Sequence, residues 1–134
     1  MPKLEKVMTV ALIIEDNDNN LELIRFILEK AHYKTRFART GIDGISQALA
    51  ITPDFIILDI QLPDISGFEV LARIRTHSRG RLIPIIAMTS YAMSGDREKL
   101  LKAGCTSYIE KPIDPMLVIK QIEQAINPIS SNAR

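Results

Sequence analysis

The sequence predicts an α/β domain of five βα units, (βα)5, in which a five-stranded parallel sheet is doubly wound and covered by helices on both faces. Short, nearly continuous apolar runs alternate with amphipathic stretches of helical spacing, and cap or turn residues separate them. With 134 residues, 46% hydrophobic and 25% charged, the chain has the size and polarity of one ordinary globular domain.

The elements follow in order. Val7–Ile14 is almost wholly apolar, as a strand covered on both faces should be. Leu21, Ile24, Leu28 and Ala31 then recur at helical spacing, and Tyr33–Ala38 is a weaker strand. Thr40 reads as the N-cap of the second helix. Phe55–Leu58, entered through Pro53, is the next buried strand. Ser66-Gly67-Phe68-Glu69 has the form of a capping box, with Phe68, Leu71 and Ile74 on one face of the helix behind it. Leu82–Met88 is the fourth strand, with Pro84 near its start. Leu100 and Leu101 lie on the fourth helix, which Gly104 can end in the left-handed conformation. Cys105–Ile109 is the fifth strand. Asp114-Pro115 reads as N-cap and first position of the last helix, whose buried stripe is Val118, Ile119, Ile122 and Ile126. The crossovers should be right-handed. The expected domain runs from 7 to 126, after an N-terminal extension (1–6) and before a flexible polar tail (127–134).

Bulk properties exclude several classes. A net charge of +1 gives no argument for nucleic acid or an anionic membrane. One cysteine, Cys105, excludes an internal disulfide framework and an all-cysteine zinc site; it reads as a small core residue and suits a reducing cytoplasm. No apolar run approaches the ~20 residues of a membrane span, and Val7–Ile14 lacks the small-residue cleavage site of a signal peptide. Arg73, Arg75, Arg79 and Arg81 read as a solvated loop in preference to a basic partner patch. His32 and His77 read as surface positions, and Met88 and Met93 as packing residues.

The polar residues gather where ligands of open α/β sheets bind, at the carboxyl ends of strands. Glu15-Asp16 ends the first strand, Asp59 the third and Thr89-Ser90 the fourth, while Lys111-Pro112 follows the fifth. A lone acid after a strand is usually a turn or cap residue, the reading given to Asp18 and Asp64. The joint placement at four strand ends is what marks a site. If the first and third strands are neighbours, three carboxylates converge. Each ionised pair at about 4 Å costs about 4 kcal/mol at an effective dielectric of 20. Lys111 offsets part of that, and a bound cation or a raised pKa must offset the rest. An oxygen-only donor set favours Mg²⁺, Mn²⁺ or Ca²⁺ over zinc.

Ile14-Glu15-Asp16-Asn17, Leu58-Asp59-Ile60-Gln61-Leu62-Pro63-Asp64, Ser66-Gly67, Ala87-Met88-Thr89-Ser90 and Tyr108-Ile109-Glu110-Lys111-Pro112 carry a family resemblance. From about Val7 to Ile126 the chain resembles the receiver domains of two-component response regulators, the CheY-like superfamily, and within it the single-domain DivK-type receivers. The resemblance implies the flavodoxin-like strand order 2-1-3-4-5. It implies that Asp59 accepts a phosphoryl group from a histidine kinase or phosphotransfer protein. Asp16 would bind Mg²⁺ directly, Glu15 mainly through water, and the backbone carbonyl of Gln61 would be another ligand; Mn²⁺ would substitute. Thr89 and Lys111 would bind phosphoryl oxygens, and the Lys111–Pro112 peptide would be cis. Thr89 and Tyr108 would form the switch, read out on the face of the fourth helix, fifth strand and fifth helix by a downstream protein. The implied protein is cytoplasmic, a monomer or weak homodimer, with no direct DNA binding and no membrane contact. It would not be an enzyme, beyond assisting its own phosphorylation and dephosphorylation. Glu15 departs from the more frequent Asp. Gln61 and Tyr91 occupy positions that modulate dephosphorylation, and Tyr91 is expected to shield the acyl phosphate and lengthen its life.

Three rivals differ in class. A Mg²⁺-dependent phosphohydrolase using an aspartyl phosphate would carry a second Asp two residues after the first, where this chain has Gln61. A pseudo-receiver that has lost phosphorylation and acts as an interaction module would not need Glu15, Asp16, Asp59, Thr89 and Lys111 together. A nucleotide-binding flavodoxin-like protein would need a Gly-rich loop after the first strand, which is absent.

Overall fold

A computed structural model describes residues 9–90 and 95–127, the side chain of residue 96 excepted. Tyr91, Met93, the extension 1–6 and the tail after 127 lie outside the described residues. The elements are β1 (Val10–Ile14), α1 (Asp18–Lys30), β2 (Lys34–Ala38), α2 (Gly41–Ile51), β3 (Phe55–Asp59), α3 (Gly67–Thr76), a 3₁₀ turn (Ser78–Gly80), β4 (Ile85–Thr89), α4 (Asp96–Ala103), β5 (Ser107–Glu110) and α5 (Val118–Ile126). The strands form one parallel sheet in the order β2-β1-β3-β4-β5. This is the expected doubly wound (βα)5 architecture. The order reverses between β1 and β3, so their carboxyl ends open into a crevice.

Side chains alternate across each strand, and the sheet therefore separates two cores. On one face Leu12, Ile14, Ile56, Leu58, Ile85 and Ala87 pack with Ala48 of α2, Val70, Leu71 and Ile74 of α3, and Leu100 of α4. On the other, Ala11, Ile13, Phe55, Ile57, Ile86 and Met88 pack with Leu21, Ile24 and Leu28 of α1 and Val118 and Ile122 of α5. Burial of both faces explains why β1, β3 and β4 read as unbroken apolar runs. Each of the large side chains, among them Phe55, Leu12 and Ile13, contributes about 1.5–3 kcal/mol through burial. β2 lies at the edge and is largely exposed, which is why its pattern is weak.

The caps hold in part. Thr40 accepts from the Asp43 N–H at 3.0 Å, and Gly104 ends α4 at φ 113°. Ser66 accepts from the Glu69 N–H at 3.3 Å, but Glu69 pairs with Arg73 at 2.9 Å, so the reciprocal half of the expected box is replaced by an ion pair.

Three expectations need correction. β4 begins at Ile85 and not at Leu82, which is 89% exposed; Pro84 has no N–H to give a strand ladder. β5 begins at Ser107, because Cys105 and Thr106 close the turn after α4. Leu100 and Leu101 do both lie on α4, as expected, the first buried and the second facing solvent. Asp114 does not cap α5 directly: its carboxylate accepts from the Met116 N–H at 2.9 Å and its carbonyl from Leu117 and Val118, forming a turn that delivers the chain to the helix.

Arg75 corrects the reading of the arginine cluster. It is partly buried and donates to the carbonyls of Gly104 (2.8 Å), Gly80 (2.8 Å) and Ile83 (2.7 Å). It is neither solvated nor part of an open patch. It joins the end of α3 to the chain entering β4 and β5.

Candidate functional site

β1 delivers the first two acids. The Glu15 N–H extends the ladder to the Ala38 carbonyl at 2.9 Å, which leaves Glu15 fully buried at the strand end while Asp16 turns outward. The Glu15 carboxylate accepts from the Asn17 N–H at 3.1 Å through Oε2. Asn17 in turn caps α1 by accepting from the Asn20 N–H at 2.9 Å. The positive end of the α1 dipole therefore faces this acidic turn. β3 delivers Asp59, 3% exposed. One carboxylate oxygen from each of Glu15, Asp16 and Asp59 lies within 4.8 Å of the others.

Asp59 is held from two sides. Lys111 Nζ donates to its Oδ1 at 2.8 Å, and the Gln61 N–H donates to the same oxygen at 3.2 Å. The Lys111 N–H donates to the Thr89 carbonyl at 2.9 Å, and the following Lys111–Pro112 peptide is cis, as expected. Thr89, at the end of β4, is buried. The floor of the crevice depends on Gly67. A Cβ there would stand 2.6 Å from the Ile60 Cα and 3.0 Å from the Asp59 carbonyl oxygen, so only glycine lets α3 start this close to the strand end.

The electrostatics are uneven. Among the described residues one lysine faces three carboxylates, and Glu15 Oε1 is buried with no hydrogen-bond partner. The Glu15 carboxyl is pushed up to about 7, first by burial and also by the charge of Asp59, against the opposing pull of the Asn17 N–H and Lys111. A buried orphan oxygen beside two more carboxylates fits a hard divalent cation, since the donors are all oxygen and the set is short of positive charge.

Every expected site residue but Tyr91, which lies outside the described residues, thus has a place. Glu15, Asp16, Asp59 and Lys111 come together, and Gln61 joins them through its amide. Tyr108 stands apart on β5, half-buried, paired in register with Ala87, and the Arg97 guanidinium lies 5.8 Å from its ring centre. Because Ala87 and Thr89 alternate with Met88, Tyr108 and Thr89 share one face of the sheet. Asp64 is a cap residue, as the sequence reading has it, but of a helix that reading does not name. Its carboxylate accepts from the N–H groups of Gly41 at 2.8 Å and Ile42 at 2.9 Å, capping α2 from a distant loop, and these bonds hold its carboxyl below the usual range.

Fold and site together define a class: a doubly wound α/β domain whose switch-point crevice is acidic, carries one lysine and is suited to a divalent cation. Residues 11–123 match the family model of the response regulator receiver domain, and the chain belongs to that family. It is 40% identical over 112 residues to the polar-differentiation response regulator DivK of Brucella ovis, covering 84% of this chain and 91% of that protein. Among solved structures it is similar to the receiver domain of a Pseudomonas aeruginosa sensor histidine kinase, crystallised with a magnesium ion coordinated in its active-site cleft. The identity is 32% and the TM-score 0.83, covering 90% of this chain and 98% of that one. The fold is shared with the chemotaxis response regulator CheY4 of Vibrio cholerae at 24% identity and TM-score 0.84, covering 89% and 99%. The chain is therefore a receiver of two-component signalling. No helix among the described residues is long and apolar enough to cross a membrane.

Proposed function

We propose that Asp59 is the phosphoacceptor of this receiver. The carrying observation is the pairing of a buried Asp59 with Lys111 at 2.8 Å inside a cluster that also holds Glu15 and Asp16. In the reaction an Asp59 oxygen attacks the phosphorus of a phosphohistidine on a histidine kinase or phosphotransfer protein. The O–P bond forms, the P–N bond breaks, and the imidazole leaves with its electron pair. Transfer of this kind depends on positioning and on neutralising charge at the oxygens. Lys111 and the Gln61 N–H fix the orientation of the carboxylate, and Lys111 is then placed to pair with a phosphoryl oxygen. Asp16 and Asp59 would hold Mg²⁺ directly, with the Gln61 carbonyl as a further ligand and Glu15 acting through water; Mn²⁺ would substitute. When bound there the cation supplies positive charge to the transferring oxygens.

The donor approaches over the open groove beside Lys111, lined by Asn20, Leu23, Ser90, Pro112 and Ile113. The Thr89 hydroxyl takes a phosphoryl oxygen, Tyr108 moves toward it, and the face of α4, β5 and α5 changes for a downstream protein. On this reading output runs through protein contact in the cytoplasm, not through DNA, with a functional unit of about residues 7–126; membership of the receiver-domain family supports a signalling partner. The protein assists only its own phosphorylation and dephosphorylation.

Incubation with acetyl phosphate and Mg²⁺, followed by intact mass, tests the reading. One phosphoryl adduct is expected, absent in Asp59→Ala and in EDTA. An adduct that survives Asp59→Ala refutes the assignment. Mg²⁺ binding without any adduct favours an interaction module, and turnover of a simple phosphate ester favours a phosphohydrolase.

A further inference from the structure

The loop between β3 and α3 carries Gln61, whose N–H touches the Asp59 carboxylate at 3.2 Å. Its two ends are joined by the Gly67 N–H to Ile60 carbonyl bond at 2.8 Å. Its middle is tied elsewhere. Both carboxylate oxygens of Asp64 accept from α2, one from Gly41 and one from Ile42, 23 and 22 residues earlier in the chain. The two segments also pack: a Cβ on Gly41 would meet Ile65 Cγ1 at 2.6 Å and Val70 Cγ2 at 2.9 Å. The next orphan donor of α2, the Asp43 N–H, goes to Thr40 instead. The start of α2 is thus capped by two side chains, one local and one reaching over from the site loop.

We propose that Asp64 is a positioning residue for the phosphoacceptor. By fastening the loop after Asp59 to the start of α2, it sets where the Gln61 backbone stands against the Asp59 carboxylate and the cation pocket. This rests on the reading of Asp59 and Gln61 given above. A helix cap with no further role would contribute stability alone, and the adjacent Thr40 cap supplies the control.

The test measures Mg²⁺ affinity by titration calorimetry in the full chain. Asp64→Ala is expected to weaken binding by about three- to tenfold, less than the ten- to hundredfold typical when a direct partner of a metal ligand is lost. Thr40→Ala removes a cap from the same helix and lowers the melting temperature comparably, yet leaves the affinity at the wild-type value. Amide exchange at Gln61 should quicken in Asp64→Ala and not in Thr40→Ala. Asp64→Asn keeps an acceptor oxygen and should fall between wild type and alanine, and it carries the test should the alanine variant fail to fold. Unchanged affinity in the Asp64 variants, or equal losses in both cap variants, overturns the proposal. If the wild type binds no Mg²⁺, or Asp59→Ala binds it as tightly as wild type, the site assignment itself falls. That result is distinct from an Asp64 variant that matches a Mg²⁺-binding wild type.

Discussion

The two ends of the sheet treat charge in opposite ways. At the amino ends of β4 and β5, one arginine meets three backbone carbonyls and each bond is 2.7–2.8 Å. At the carboxyl ends of β1 and β3, among the described residues, one lysine faces three carboxylates and a buried Glu15 oxygen has no partner. The first arrangement is close to what a stable protein needs, because a buried polar group costs little once paired. The second is one that stability alone would not select, and such imbalance marks sites that bind or react. Arg75 and Lys111 are both partly buried cations; what differs is whether their surroundings are already balanced.

Substitutions can break this contrast. Lys111→Met should reduce phosphorylation by acetyl phosphate by roughly a hundredfold, the usual scale for losing one charge-stabilising donor, as read from the rate of adduct formation. Arg75→Met should leave the Mg²⁺ affinity unchanged but strand three carbonyls. The expected cost is about 3 kcal/mol, seen as a melting temperature lower by about 10 °C. Glu15→Gln should do the reverse of Arg75→Met. It should stabilise the protein in EDTA by about 1 kcal/mol, by removing a crowded charge, while weakening Mg²⁺ binding, so that the gain shrinks as Mg²⁺ is added.

The smallest effect concerns Cys105, which lies near Arg75 at the balanced end. Burial pushes its thiol up to about 11. The folded protein therefore holds that proton more tightly than the unfolded chain, and stability should decline as pH rises from about 9 to 11. At neutral pH alkylation by iodoacetamide should be slow in the native protein and fast in urea.

The strand ends were legible because their chemistry is local in sequence. Glu15, Asp16, Asp59 and Lys111 each follow an apolar run, and a parallel sheet brings such positions together without further information. Thr40 was legible for the same reason, since a cap acts three residues ahead. The partners of Asp64 and Arg75 were not, because they lie up to 23 and 29 residues away. Nothing in an aspartate or an arginine says which distant backbone it will meet. The starts of β4 and α5 were placed too early for a different reason: apolar or cap residues at Leu82 and Asp114 satisfy the local pattern, but the chain spends those residues turning.

The sheet that separates the two cores also divides the residues of the proposed switch from the fifth helix. Tyr108 and Thr89 lie on the side of α2, α3 and α4, whereas α1 and α5 pack on the other side around Phe55, Ile57 and Met88. The proposed readout face crosses this partition, since α5 belongs to the second core, so a rearrangement that starts at Thr89 and Tyr108 would have to reach α5 around the sheet edge at β5.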